Sequence, residues 1–491
     1  MSLSLLIVLP IVTAVAILLV KGLKQVRTVS LIGSVAQLGL SFFLLTEYWK
    51  ERTAGNTSQM LFESNYTWFK PLGINYHIGV DGISIAMILL TAFVVIAGVL
   101  VSWATEKLSK EFFFLLILLS AGAYGFFISL DLFTLFFFLE VAVIPKFLLI
   151  GIWGSGKKEY SAMKLALMLM AGTALIFVGL AGLYFNTGTF DILQIAGMNI
   201  PVEVQKLFFP FAFVGFGVFT ALFPFHTWVP DGHSSAPTAA SMFLAGISMK
   251  LGGYGCLRVA TFLMPAAAHE YSWIIILLAT IAIIYGAFAT MMQKDLKYIN
   301  AYSSVSHCGF VLLGIGMLTK TAINGAVLQM VSHGLMTALF FAAIGMIYSR
   351  THTRDVAKLG GLLKVTPFIS TVFVIAGLCS LGLPGFSGFV AEMTVFMGAW
   401  QNPDGMYRLA TILACASIVV TAVYILRAAG KTVMGPMSSA YVELKDASWN
   451  EKLAAGLLIG AILVMGLAPF LINQLITPGT ENIMNKVLAA F

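Results

Sequence analysis

Residues 221–237 read ALFPFHTWVPDGHSSAP, and residues 380–392 read SLGLPGFSGFVAE. Each stretch interrupts an otherwise apolar run with proline and glycine, which free backbone groups that hydrocarbon cannot satisfy. In a bilayer such interruptions persist only where protein or a water-filled cavity takes up the freed groups. One break in each half of a chain is the sequence pattern of a transporter built from inverted repeats. Taken singly, each break also reads as a proline kink between packing helices.

Working outward, the rest of the chain has the composition of a membrane protein. Of 491 residues, 59% are hydrophobic and 10% charged, and the mean hydropathy is +0.95; a soluble domain carries about 25% charged residues. A spanning helix needs about 20 apolar residues, and apolar runs near that length recur from 4–20 to 453–471. They read as about fourteen helices of an all-α integral membrane protein. No Gly/Ser linker divides the chain, so 1–491 is taken as one polytopic domain with a short external loop at 65–76 and a polar loop at 438–450. The first run has no basic segment before it and reads as a retained helix rather than a signal peptide.

Basic residues cluster after every second span: Lys21, Lys24 and Arg27; Lys107 and Lys110; Lys157 and Lys158; Lys294 and Lys297; Arg350, Arg354, Lys358 and Lys364; Lys431, Lys445 and Lys452. The positive-inside rule assigns that face to the cytoplasm, with both termini outside for an even number of spans. The net charge of +7 thus reports topology, not affinity for nucleic acid. Cys256, Cys308, Cys379 and Cys415 lie singly in apolar segments, with neither metal-ligand nor disulfide spacing. No phosphate-binding loop, dinucleotide fingerprint, haem-attachment motif or iron–sulfur cysteine cluster is found, so no cofactor and no metal is expected.

A charge at the bilayer centre costs several kcal/mol and needs a partner, water or a change of protonation. Glu140 lies in LFTLFFFLEVAVIP, Lys250 in SMFLAGISMKLGGYG, and Glu392 just past the second break. Desolvation in general brings carboxyl and ammonium groups toward exchange near neutral pH, which a proton relay requires. The plain alternative is static ion pairs between helices. His307 in AYSSVSHCGF and His333 in QMVSHGL are further relay candidates, since imidazole can pass a proton through either nitrogen. His226 and His233 flank the first break, and His352 in SRTHTRD reads as interfacial.

These residues carry a resemblance. GVDGIS (79–84), FFFLEVAVIP (136–145), FPFHTWVPDGHSSAPTAAS (223–241), AGISMKLGGYG (245–255), KDLKYINAYSSVSHCGF (294–310), SHGL (332–335), HTRD (352–355) and LPGFSGFVAE (383–392) stand in the order found in one family. The chain resembles the antiporter-like membrane subunits of respiratory complex I and of Mrp-type cation/proton antiporters. The resemblance implies fourteen helices holding two inverted five-helix repeats, about 112–264 and 273–430, each with one broken helix. It carries over Glu140 as the fifth-helix glutamate, Lys250 as the central lysine, His307 and His333 as polar-axis histidines, and Glu392 as the distal residue on the broken twelfth helix. Glutamate there, together with HTRD, is similar to the M-type subunit of an NADH:quinone oxidoreductase. That implies a proton-translocating subunit driven by redox chemistry elsewhere, beside L-type and N-type antiporter-like chains, in a bacterial inner membrane. The alternative is an Mrp-type antiporter or membrane-bound hydrogenase subunit.

One position departs from the pattern. Seven residues before the FHTW histidine the family usually has a lysine paired with the fifth-helix glutamate, and here stands Phe219. A lysine occurs instead at Lys146, directly after Pro145. Either Lys146 takes over the missing cation's role, with the proline reshaping the helix between it and Glu140, or it snorkels to the interface near Trp153.

Overall fold

The computed structural model describes residues 2–437 and 439–490; of the polar loop expected at 438–450, residue 438 lies outside the described residues. Helices α1 (Leu5–Leu19) and α2 (Leu23–Thr53) lead into an antiparallel hairpin, β1 (Leu61–Phe69) and β2 (Ile74–Val80). Thus the stretch 65–76 is not a plain loop. Aromatic and β-branched residues, which suit strands, flank a tight turn that closes on Gly73 at a φ of 63°.

After the hairpin come α3 (Gly82–Val101), α4 (Ser109–Ile128), α5 (Leu132–Trp153), α6 (Lys158–Thr187), the short α7 (Ile192–Gly197), α8 (Val202–Thr220) and α9 (Trp228–Ser235). The next crossing is segmented into α10 (Thr238–Phe243), a π-helical stretch (Leu244–Ser248), α11 (Met249–Gly255), a second π-helical stretch (Cys256–Thr261) and α12 (Pro265–Glu270). Then follow α13 (Ser272–Met291), α14 (Leu296–Gly316), α15 (Lys320–Thr351), α16 (Pro367–Ser380), α17 (Ser387–Trp400), α18 (Gly405–Thr432), α19 (Trp449–Leu467) and α20 (Pro469–Leu488).

Ten of these helices are long and apolar enough to cross a membrane. Helix α1, the segmented α10–α12, the more polar α14 and the broken α16–α17 pair supply the remaining crossings, in keeping with about fourteen. Helices α3 and α15 are buried along almost their whole length. Peripheral helices instead expose large apolar side chains, such as Leu167, Phe177 and Phe185 on α6, as a lipid-facing surface requires. The apolar run 453–471 is divided by Pro469, which opens α20, and α20 buries Leu475, Ile476 and Ile483 against the rest of the protein.

The two faces carry mirrored devices. On one face, Asp131 caps α5 by accepting from the Phe133 and Thr134 amides, and its backbone bridges to that of Asp191 after α6. On the face bearing Lys294 and Arg354, Asp295 caps α14 through the Lys297 and Tyr298 amides and bridges to Asp355 after α15. Both expected breaks are present. The first lies between α8 and α9, where Ala221 adopts φ 66°. The second lies between α16 and α17, with Gly382 at φ 73° and Gly385 at 97°.

Candidate intramembrane polar site

Lys250 sits on α11 between the two π-helical stretches, and its side chain is 1% exposed. A π turn shifts the backbone hydrogen-bond frame, a feature common at functional sites. Here the Lys250 ammonium donates to the Ala245 carbonyl at 2.5 Å and to His333 Nδ1 at 2.7 Å. Because an ammonium has no lone pair, His333 must accept at Nδ1. The Cys308 thiol lies 3.8 Å from the same nitrogen.

From His333 the polar path continues across the helices. The rings of His333 on α15 and His307 on α14 are 5.4 Å apart between centroids. His307 Nδ1 lies 3.2 Å from Glu392 Oε1 on α17, and His307 Nε2 lies 3.0 Å from Ser380 Oγ at the end of α16. The second break makes this possible. Gly382 has no Cβ, and one built there would stand 2.8 Å from Glu392 Oε2. All four of these residues are almost completely buried. Lys250, His333, His307 and Glu392, expected separately from the sequence, therefore form one continuous file through four elements.

Glu140 and Lys146 are arranged differently. Glu140 is half-buried, and no hydrogen bond or ion pair joins it to Lys146 among the described residues. Lys146 is 1% exposed, does not reach the interface, and has no hydrogen-bond partner for its ammonium. That ammonium lies 5.6 Å from the centroid of the Phe219 ring. The cation thus comes from α5 to the place on α8 where the resemblance leads one to expect a lysine. His226 packs on Phe223 beside Tyr285, and His233 is stacked on Phe341 with both ring nitrogens unpartnered.

Several buried charges escaped the sequence reading, Asp131 and Asp191 of the bridge described above among them. Arg258 and Asp81 form an ion pair at 1% and 2% exposure, flanked by Tyr254, whose hydroxyl is hydrogen-bonded to Ser84. The signal was present, since Arg258 lies in an apolar run eight residues after Lys250. Lys297 counts in sequence as a face-marking basic residue, yet it is 4% exposed and donates to the Ala236 carbonyl at 2.6 Å. No three-residue group able to hold a metal ion occurs among the described residues.

Comparison with known proteins adds to this geometry. Residues 129–419 match the family described as NADH:quinone oxidoreductase/Mrp antiporter, TM. NADH-quinone oxidoreductase subunit M of Rickettsia prowazekii is 35% identical over 493 residues, covering 98% of this chain and 98% of that protein. NAD(P)H-quinone oxidoreductase chain 4-2 of Synechocystis sp. is 38% identical over 433 residues, covering 86% and 76% respectively. A chain of respiratory complex I from Thermus thermophilus superposes with a TM-score of 0.90 at 25% identity, covering 99% of both chains.

Proposed function

The chain belongs to the membrane-subunit family shared by NADH:quinone oxidoreductases and Mrp antiporters, and from that premise we propose that it is the M-type, proton-translocating subunit of an NADH:quinone oxidoreductase. It is a multi-pass membrane protein, and its place is the bacterial inner membrane with the lysine-rich face toward the cytoplasm. Its neighbours are the L-type and N-type antiporter-like chains. Electron transfer occurs in other subunits; this chain supplies the proton path. The two repeats span about 112–264 and 273–430, a reading supported by the mirrored Asp131–Asp191 and Asp295–Asp355 bridges.

One observation carries the function: the file Lys250–His333–His307–Glu392, linked by polar contacts at its two ends and by neighbouring imidazole rings at its centre, which ends at a broken helix. Each member can bind and release a proton, each is held away from water, and the glycine-bearing break provides an end that can meet solvent. Glu140 and Lys146 form the other arm, in which the Lys146 ammonium rests on Phe219. A static ion-pair scaffold would pair its charges, whereas among the described residues no hydrogen bond or ion pair reaches the Lys146 ammonium.

Lys250→Met keeps the apolar stem and deletes the ammonium. An assembled complex with strongly reduced NADH-driven proton uptake into vesicles is the expected result; uptake at the wild-type rate would remove Lys250 from the path. Copurification with flavin and iron–sulfur subunits separates this assignment from the antiporter alternative.

A further inference from the structure

The crossing that carries Lys250 runs on toward the face that bears the β1–β2 hairpin, and two further polar residues follow the lysine along it. Tyr254 and Arg258 stand four and eight positions on, each step one turn with a drift of about 40°, so the three side chains rise along one side of the crossing. Tyr254 is 1% exposed; its hydroxyl lies 2.9 Å from the Ser84 hydroxyl on α3 and donates to the Phe127 carbonyl on α4 at 3.4 Å. Phe126 and Phe127 close on its ring with edge contacts at 5.8 and 5.3 Å. The Arg258 guanidinium sits 5.5 Å from the centre of the same ring and is ion-paired with Asp81, the cap of α3.

Helix α20 roofs this pair. A Cβ on Gly479 of α20 would stand 2.7 Å from Asp81 Oδ2, and one on Gly82 would run into the Leu475 carbonyl, so the two glycines let α20 seat directly on the start of α3. Both Asp81 oxygens are occupied, Oδ1 by the Ser84 amide and Oδ2 by Arg258. Among the described residues Arg258 Nε and Nη1 meet no acceptor, so no hydrogen-bond chain continues from them toward the hairpin face. The hairpin face is thus only about two turns from Lys250, yet the polar contacts of the lysine lead sideways, to His333.

We propose that Arg258, clamped by Asp81 and Tyr254 beneath α20, is a stopper that closes the direct way from Lys250 to the hairpin face and so commits protons to the histidine file. The stopper rests on the translocation reading above. A guanidinium stays protonated at any physiological pH, so it can neither take a proton from a neighbour nor hand one on. Its fixed positive charge also repels an excess proton, as an arginine does in pores that exclude protons. A lysine or histidine at the same place would be a further relay step, whereas arginine is the basic side chain that is not. Asp81 holds the charge in place and cancels enough of it to allow burial. Arg258 is therefore a positioning residue, which acts on the route and not on the proton carried.

The test uses the whole complex in liposomes with two readouts: passive proton flux under an imposed pH gradient without NADH, and net proton uptake per NADH oxidised. Arg258→His replaces the stopper by a group that passes protons; passive flux should rise about tenfold, equivalent to about 1.4 kcal/mol of lost barrier, and uptake per NADH should fall. Adding Lys250→Met should return the flux to the wild-type level, because a leak through the stopper starts from the lysine, whereas a hole left by loosened packing would stay open. Wild-type flux in Arg258→His, or a raised flux that persists when Lys250→Met is added, overturns the stopper. If Arg258→His fails to assemble, Asp81→Glu combined with Arg258→Lys keeps one charge of each sign and decides the matter. Its ammonium can release a proton, so passive flux should again rise in a Lys250-dependent way, and no rise refutes the proposal. Lys250→Met alone keeps the two readings apart: defective NADH-driven uptake there leaves translocation standing whatever becomes of the stopper, and normal uptake overturns translocation itself.

Discussion

Replacing Lys146 separates stability from function in a way few substitutions can. Lys146 is 1% exposed, and among the described residues its ammonium has no hydrogen bond and lies 5.6 Å from the centroid of the Phe219 ring. A desolvated cation–π contact contributes about 2 kcal/mol at most, whereas removing an ammonium from water costs several kcal/mol. The native lysine is therefore a net burden on folding. Methionine keeps the apolar stem and removes the buried unpaired charge, so Lys146→Met should leave the thermal stability of the complex unchanged or raised. Proton uptake in inverted vesicles should nevertheless fall, by about tenfold for each 1.4 kcal/mol of lost proton-transfer stabilisation. Adding Phe219→Lys to Lys146→Met should restore part of the uptake by returning a cation to the same spot from α8. Fluorescence quenching of a pH-sensitive dye gives the uptake, and thermal shift of the purified complex gives the stability. If Lys146→Met pumps at the wild-type rate, or if it unfolds early and loses uptake only in proportion, the ammonium has no part in the path.

Two further outcomes are expected. Glu392→Asp should keep partial uptake, because a carboxyl remains near His307 and the Gly382 break, while Glu392→Gln should keep little; equal rates in the two variants would mean that polarity alone suffices. At the hairpin, burial on its own would lower the pKa of His77, but hydrogen bonds and charge from Asp191 and then Glu63 outweigh it and raise it. Because the folded value is raised, the stabilisation is complete below the unfolded value of about 6.5 and is lost as pH rises through the folded value. Hydrogen-exchange protection of β1 and β2 should therefore decline toward alkaline pH in the native protein, and a comparable decline in His77→Gln would exclude this linkage.

Both helix breaks, and Glu140, Lys250 and Glu392 within or beside apolar runs, could be read from the sequence, because hydrocarbon punishes each of them individually and forces a reason for it, although Arg258 in the same kind of run was passed over. What the sequence does not contain is adjacency. His307 and Glu392 are 85 positions apart, and only the packing of α14 against α17 brings them to 3.2 Å. Lys297 misled for the opposite reason. A lysine at a helix start counts as a marker of the basic face, and its burial arises from α9 and α10 closing over it, a tertiary event that no window of residues records. The hairpin was missed because neither strand alternates cleanly, β1 being mostly exposed and β2 mostly buried, so their period-2 signal is weak beside the strong hydropathy of the neighbouring spans. Lys146 is an intermediate case: its proximity to Phe219 follows from a departure visible in the sequence, but whether the side chain turned inward or toward the lipid surface depended on packing around Pro145.

The mirrored aspartate bridges bear on how such a molecule could arise. Five crossings run from α4 to α10–α12, and five from α13 to α18. Five is odd, so a tandem copy of such a unit leaves the bilayer on the side opposite to where it entered, and a second copy joined directly to it is necessarily upside down. No separate event is needed to flip it. An aspartate cap serves equally well at either water boundary, as the two bridges show, so within such a unit it is the lysines of one face that fix the orientation of each copy.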